Sequence, residues 1–331
     1  MFFIKKVLIL FGGNSSEHYV SCKSCESIVS NIDDELFDYE IVGIDFDNTW
    51  YKFKDDLLFL NDGSWKEAKI EKIDNIIDYV KQFDVVFPIT HGKNGEDGKL
   101  QGMLELFGIP FVGCKTLASA ICMDKEMSKI VFNDIKIKQV PYVTINKNYN
   151  LKDIIDELGL PLIVKPANGG SSIGISKANN KRELNKAIKL ARKHDDKIII
   201  ERFIKARELE VAVLENKENI ICSSPGEINS ANEFYDYDAK YVNESSYTTI
   251  PDDLPKDVLS KINEYAMTIF NKLGLKGYAR IDFFYDEENR EVYINEVNTL
   301  PGFTSISMYP KLMENEGIYY TDLITTLINN A

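Results

Sequence analysis

Short apolar runs alternate with amphipathic stretches from the N-terminus onward. Residues 5–11 (KKVLILF) run into Gly12 and Gly13, the form of a buried parallel strand feeding a tight turn. Residues 15–30 have a helical pattern, and 39–46 read as a second strand. Residues 47–80 are charged, carry Trp50, Tyr51 and Trp65, and are expected to form excursions plus a helix. A third strand is predicted at 84–90, then the glycine-rich loop HGKNGEDG, a helix near 98–107 and a short strand at 110–113. This alternation predicts an open α/β sheet with ligands at the C-terminal ends of its strands.

A new unit begins near Cys114. A helix is expected over 116–132, a strand at 142–145 and a helix at 151–158. PLIVKP, the loop ANGGSS and the strand IGISKA follow, then a helix over 180–193 and a strand at 197–203. The last third predicts strands near 207–215 and 219–222, a polar segment over 223–249 and a helix over 255–273. A hairpin of 277–285 and 291–298 and two further helical stretches finish the chain.

At roughly 150 residues per domain, 331 residues fit two or three units. Hydrophobic residues at 44% and charged residues at 27% place the chain among globular proteins rather than disordered or collagen-like ones. Lys+Arg 39 against Asp+Glu 52 leave a net charge of −13, which argues against nucleic acid as a partner. Five cysteines are odd and sparse, so a reducing compartment is expected rather than a disulfide framework. Cys22 and Cys25 form a CxxC pair, either a redox or zinc element or simply two neighbouring helix positions. The apolar run after the first lysines is too short for a signal segment, and no run has the length of a membrane span. The expectation is therefore a cytoplasmic protein with no membrane association.

Four places carry candidate chemistry. In the hairpin ARIDFFYDEENREVYINEVN, residues 280, 282 and 284 share one strand face by period two, as do 292, 294, 296 and 298 on the partner. With a three-residue loop at 287–289, Arg280, Asp282, Glu296 and Asn298 project together. Two carboxylates and an amide suit a hard cation, Mg²⁺ or Mn²⁺; the plain alternative is a solvated strand face with ion pairs. Lys165 ends a buried strand before Ala167–Ser172, a run of small residues able to wrap a phosphate or to make an ordinary hairpin loop. Gly12–Glu17 lies between a strand and a helix, where it could bind an anion or only cap the helix. His91 stands at a strand end and opens the loop HGKNGEDG.

Together these segments resemble the D-alanine–D-alanine ligase family of the ATP-grasp superfamily. The match runs through nearly the whole chain in order: LFGGNSSEHYVS, HGKNGEDGKLQGMLELFGIPFVG, SAICMDKEMSK, PLIVKPANGGSSIGIS, IIIERFIKARELEVAVL, FYDYDAKY, ARIDFF and NEVNTLPGFTSISMYP. The segment 47–80 and the run 248–254 depart from the family without touching its motifs. The resemblance implies a three-domain ATP-grasp fold, mixing α/β and α+β parts. Its N-terminal open α/β substrate domain would span 1–113. A central ATP-grasp subdomain would span 114–201, and a C-terminal one 202–331 with the metal and a lid loop at 223–249.

It also implies ligation of two D-alanines with ATP and Mg²⁺ (or Mn²⁺), through an acyl phosphate, for peptidoglycan precursors. Carried over by motif, Lys125 and Lys165 contact ATP phosphates, and Lys240 reaches the transferred phosphoryl. Glu201, Phe203 and Glu208 line the adenosine pocket, with Glu208 on the ribose. Asp282, Glu296 and Asn298 hold the metal; Arg280 and the Gly302 N–H face the developing oxyanion. Glu17 pairs with the ammonium of the first D-alanine and His91 lies near its carboxylate. Ser307 receives the carboxylate of the second D-alanine. Ser171 and Tyr241 form a hydrogen-bond chain with Glu17 that closes the site. A homodimer is a further family expectation. The rivals are a D-alanyl-D-serine or D-alanyl-D-lactate ligase, another ATP-grasp enzyme, or a nucleotide-binding regulator. Tyr241 and Met308 point to D-alanine as acceptor, because lactate-preferring relatives carry a histidine at the first position and often arginine at the second.

Overall fold

The computed structural model describes residues 4–217, 219–229 and 247–331. Among these the strands form three sheets. The first has the order β4-β3-β2-β1-β5, built from β1 (Lys5–Gly12), β2 (Phe37–Ile44), β3 (Trp50–Phe53), β4 (Ile70–Lys72) and β5 (Val85–Pro88). β1 pairs parallel with β2 and β5, while β2–β3 and β3–β4 are antiparallel. Helices lie on both faces, so β1 is buried on both and reads as a continuous apolar run. Val7, Ile9 and Phe11 enter one core, and Leu8 and Leu10 enter another. The first of these cores also contains Leu323, Ile324, Leu327 and Ile328 from the last helix, Tyr320–Asn330. Lys5 Nζ donates to the Ile328 carbonyl at 3.3 Å, joining the two ends of the described chain.

The second sheet is antiparallel, β6-β9-β7-β8, from β6 (Tyr142–Ile145), β7 (Leu162–Pro166), β8 (Ser176–Ala178) and β9 (Ile198–Arg202). Helices Leu151–Leu158 and Lys181–Ala191 cover one face. The third has the order β13-β12-β10-β14-β15, with β11 also on β10. Its strands are β10 (Arg207–Asn216), β11 (Asn219–Cys222), β12 (Gly226–Asn229), β13 (Tyr247–Thr249), β14 (Tyr278–Asp286) and β15 (Glu291–Asn298). Helix Lys256–Lys272 packs Ile262, Ala266 and Ile269 against it.

Several expectations need correction. Residues 47–80 contain two strands, β3 and β4, which extend the first sheet at its edge. The stretch 110–113 makes only an isolated bridge, Val86 to Phe111. The helix expected over 116–132 is two helices, Thr116–Met123 and Lys125–Asp134. Asp124 separates them in an extended conformation, and its carboxylate caps the second by accepting from the Glu126 and Met127 amides. The first helix starts at His18 rather than Ser15, and Ser15 Oγ instead accepts from the Glu17 amide and donates to the His91 carbonyl. IGISKA is extended only from Ser176.

The hairpin loop is four residues, 287–290, since Asp286 pairs with Glu291. Register is then odd against even: Tyr285 with Val292, Phe283 with Ile294. Val292 and Ile294 therefore enter the core beside Phe283, not the face shared by Glu296. A bulge at Asn295 shifts the register, after which Asp282 pairs with Glu296 and Arg280 with Asn298.

Deleting Asn295 should remove the bulge and leave Glu296 opposite Asp282, Val297 opposite Ile281 and Asn298 opposite Arg280, so cooperative thermal unfolding followed by circular dichroism should persist. Asn295→Ala keeps the residue count and should change stability by less than about 1 kcal/mol.

Candidate functional site

A cavity of about 270 Å³ opens between the second and third sheets. Lys125, Lys165, Ser171, Glu201, Phe203 and Glu208 all line it. Lys165 and Glu201 come from paired strands β7 and β9. Their side chains meet at 2.8 Å, and Lys129 meets the other Glu201 oxygen at 2.7 Å. Burial would raise the Glu201 carboxyl, but the charges of Lys129 and Lys165 and their hydrogen bonds bring it down to about 2. Burial, with Lys165 and Lys125 close by, lowers the Lys129 ammonium despite Glu201. Lys125 Nζ donates to the Gly169 carbonyl at 2.7 Å and lies 3.6 Å from Glu296, so it spans the loop and the third sheet. In that loop Ser171 and Ser172 adopt φ of 51° and 56°, a left-handed conformation rare for residues with a Cβ. Lys177 lies 3.7 Å over the Phe203 ring at the cavity wall.

On the third sheet, Glu210, Asp282 and Glu296 stand side by side on β10, β14 and β15. Arg280 donates twice to Asp282 at 2.8 Å and lies 3.1 Å from Glu210. Burial would lower the guanidinium, but the Asp282 and Glu210 charges overcome it, so Arg280 stays cationic. Asn298 Nδ2 donates to Asp282 at 2.9 Å.

Glu17 crosses to the loop on the second sheet. Its carboxylate accepts from Ser171 Oγ at 2.6 Å. Gly92 and Gly170 flank it: a Cβ on either would stand 2.6 Å or 2.9 Å from Glu17 Oε2. Any side chain there would displace the carboxylate. Burial, then the Glu17 charge, push the neighbouring Glu96 carboxyl well above its usual range, which favours a neutral acid beside an anion.

His91 is buried, and both ring nitrogens are engaged. Nδ1 lies 3.0 Å from the Leu300 carbonyl and Nε2 lies 2.9 Å from Ser24 Oγ, which also accepts from the Phe303 amide at 3.3 Å. Burial lowers the imidazole against the pull of Glu17, so it stays neutral. His91 thus pins both sides of Gly302. Gly302 lies against Ser307, whose Oγ accepts from the Thr304 amide at 3.0 Å and leaves the helix Met308–Asn315 uncapped by its side chain. Lys240 and Tyr241 lie outside the described residues. Cys22 and Cys25 are buried free thiols on the first helix; burial pushes Cys22 up to about 12 and Cys25 well above its usual range.

A loop of small residues, two lysines and a carboxylate row between two antiparallel sheets define an ATP-grasp protein. Residues 6–114 match the family described as D-ala D-ala ligase N-terminus and residues 131–329 the one described as D-ala D-ala ligase C-terminus. The chain belongs to the D-alanine–D-alanine ligase family. It is 45% identical over 337 residues to a D-alanine–D-alanine ligase of Clostridium novyi, covering 99% of this chain and 98% of that one. A D-alanine–D-alanine ligase of Acetivibrio thermocellus is 43% identical over 360 residues, covering 99% and 96%. Among solved structures, the VanG D-Ala:D-Ser ligase from Enterococcus faecalis superposes with TM-score 0.88 at 37% identity, covering 99% of each chain. The D-alanine–D-alanine ligase from Coxiella burnetii gives 0.86 at 32%, covering 98% and 93%.

Glu96, Lys129 and Glu210 join the site without having been singled out by motif, although the sequence holds signals for them. Lys129 follows Lys125 at i+4 on one helix face, and Glu210 follows Glu208 at strand period two. Glu96 lies inside HGKNGEDG itself. Glu201→Gln should cost about 3–5 kcal/mol by leaving Lys129 buried without its counter-charge, read from urea denaturation at pH 7. Because the Glu201 carboxyl is depressed when folded, its contribution is complete above the unfolded carboxyl range of ~4.3 and fades as pH falls toward about 2. The variant should lose that part of the acid sensitivity.

Proposed function

We propose that this chain joins two D-alanines with ATP to give D-alanyl-D-alanine for peptidoglycan precursors, working in the cytoplasm. The observation that carries the reading is the Ser171–Glu17 bond. It sets a carboxylate fit for an ammonium at the edge of a cavity lined by Lys125 and Lys165. The family membership supports it. We read the chain as three units, 1–113, 114–201 and 202–331; within the lid expected at 223–249, residues 226–229 and 247–249 are strands β12 and β13 of the third sheet, and 230–246 lie outside the described residues.

A carboxylate is a poor acyl donor, so ATP first makes the acyl phosphate of one D-alanine; the amine of the second then displaces phosphate. The protein's part is positioning and charge stabilisation. Lys125 and Lys165 hold the ATP phosphates, and Lys240 reaches the transferred group. Glu201 and Phe203 flank the adenosine and Glu208 takes the ribose. Glu17 binds the first ammonium within the Ser171–Tyr241 chain. Arg280 and the Gly302 N–H face the oxyanion, and Ser307 takes the second carboxylate. His91 lies near the first carboxylate, but its engaged nitrogens support a positioning role through the Leu300 and Phe303 loop rather than a direct bond.

Asp282, Glu296 and Asn298 would hold Mg²⁺ or Mn²⁺, and their oxygen donors on one face of β14 and β15 fit a hard cation. The ion would neutralise phosphate charge. Among the described residues no helix is long and apolar enough to cross a membrane.

The likeness to a D-Ala:D-Ser ligase keeps D-serine as the second reading for the acceptor. Phosphate release from ATP should require D-alanine, and product analysis should give the dipeptide from D-alanine alone. D-alanine should be preferred over D-lactate by at least tenfold at pH 7, about 1.4 kcal/mol. No release with D-alanine overturns the reading. A product mixture dominated by D-alanyl-D-serine at equal acceptor concentrations moves it to the second. Glu296→Gln should abolish turnover at millimolar Mg²⁺ while keeping its thermal midpoint, and Glu17→Gln should raise the D-alanine KM.

A further inference from the structure

Residues 47–80 contribute one side chain to the glycine turn that carries Glu17. Trp65, 1% exposed, sits in a 3₁₀ turn (Trp65–Glu67) and donates its indole N–H to His18 Nε2 at 3.0 Å. The other ring nitrogen, Nδ1, lies 2.8 Å from the Gly13 carbonyl. An indole N–H only donates, so Nε2 is the acceptor and Nδ1 carries the proton given to Gly13. The ring is thereby neutral and held in one tautomer, stacked on Phe46 at 4.2 Å. The same turn is tied elsewhere: the Gly13 amide donates to the Ile44 carbonyl at 2.7 Å, and the Gly12 amide to Ser21 Oγ at 2.7 Å. Glu17 immediately precedes His18, so the ring and the carboxylate share one backbone junction.

We infer that Trp65 and His18 are positioning residues for Glu17. The indole sets the imidazole tautomer, the imidazole holds the Gly13 carbonyl, and the turn from Gly13 to Glu17 is fixed between them. The inference rests on the proposed role of Glu17 toward the D-alanine ammonium. Residues 47–80 thereby serve the site from a distance, their aromatic anchor stabilising the substrate turn from behind.

Protonation opposes the arrangement, because an Nε2–H would face the indole N–H. The charged and titratable groups around the ring are Asp45 after β2, held by Lys66 at 2.7 Å, with Glu17 and Tyr19 beside it in sequence. Burial lowers the imidazole, with the Gly13 bond and the Asp45 charge pulling the other way. As pH falls through that lowered value, the turn should loosen and D-alanine binding weaken. Removing the indole N–H releases Nε2 to take a proton at higher pH.

The chain has three histidines, so ¹⁵N-imidazole NMR resolves them, and His18→Gln assigns the signal. Wild-type His18 should be the Nδ1–H tautomer. Trp65→Phe should raise its titration midpoint and raise the D-alanine KM about threefold or more at pH 6.5, with the ATP KM within about twofold. His18→Ala should raise the D-alanine KM, and His18→Gln, whose amide offers a donor and an acceptor, should restore most of it without the acid dependence. An Nε2–H tautomer in the wild type overturns the inference. So does a D-alanine KM that is unmoved in Trp65→Phe. Should that variant not fold, a wild-type acid limb retained in His18→Gln overturns it. An unchanged D-alanine KM in Glu17→Gln removes the premise itself, and so separates failure of the Glu17 role from failure of the relay.

Discussion

One change of phase in β15 governs whether Glu296 and Asn298 stand with Asp282 and Arg280 or in the core. Were Asn295 paired in the ladder instead of bulged, the strict alternation that buries Val292 and Ile294 would carry Glu296 and Asn298 into the same core. With the bulge, the strand changes phase once, and its last turn of pleat faces Asp282 and Arg280. Burying unpaired carboxylates costs several kcal/mol each, so the alternative register is closed to the chain. The place of Glu296 in the carboxylate row, of Asn298 beside Asp282, and the reach of Lys125 to Glu296 all follow from that single change of phase.

Charge is managed differently on the facing sheet. Lys165 and Lys129 share Glu201, so a carboxylate below the cavity carries two cations and both lysines are held in place before any ligand arrives. Preorganised charge of this kind need not reorganise when phosphate enters. The cavity therefore has a basic wall set from the second sheet and an acidic wall set from the third. Lys125 ties them through the Gly169 carbonyl and Glu296.

Local patterns are the legible part of this chain. The apolar run of β1, the strand into Lys165 and the pairing of Arg280 and Asp282 by period two are written within a few residues each. The phase change at Asn295 is not legible, because an asparagine between Ile294 and Glu296 reads as one more exposed strand position. β3 and β4 are hidden because WYKF and IEK are short edge strands of mixed polarity, defined by their partners rather than their own periodicity. The fate of His91 is equally hidden: its partner carbonyl at Leu300 lies 209 residues away. Sequence spacing can flag a histidine at a strand end but cannot say that both its nitrogens are spent. Lys129 is within reach, one helical turn from Lys125, yet a lysine on an amphipathic helix reads as a surface position and this one is buried.

The core shared by β1 and the helix Tyr320–Asn330 has a consequence for how the protein is made. Val7, Ile9 and Phe11 leave the ribosome long before Leu323, Ile324 and Leu327, which belong to the same core. The first sheet can pair its strands early and the helix His18–Val29 can cover part of that face, yet the part of the core shared with the last helix stays open until that helix is made. At ~5–20 residues per second that interval lasts on the order of tens of seconds, long enough for the open part to recruit chaperones. The second sheet, whose helices Leu151–Leu158 and Lys181–Ala191 are close in sequence, carries no such delay. Vectorial synthesis thus leaves part of this early core waiting for the helix Tyr320–Asn330.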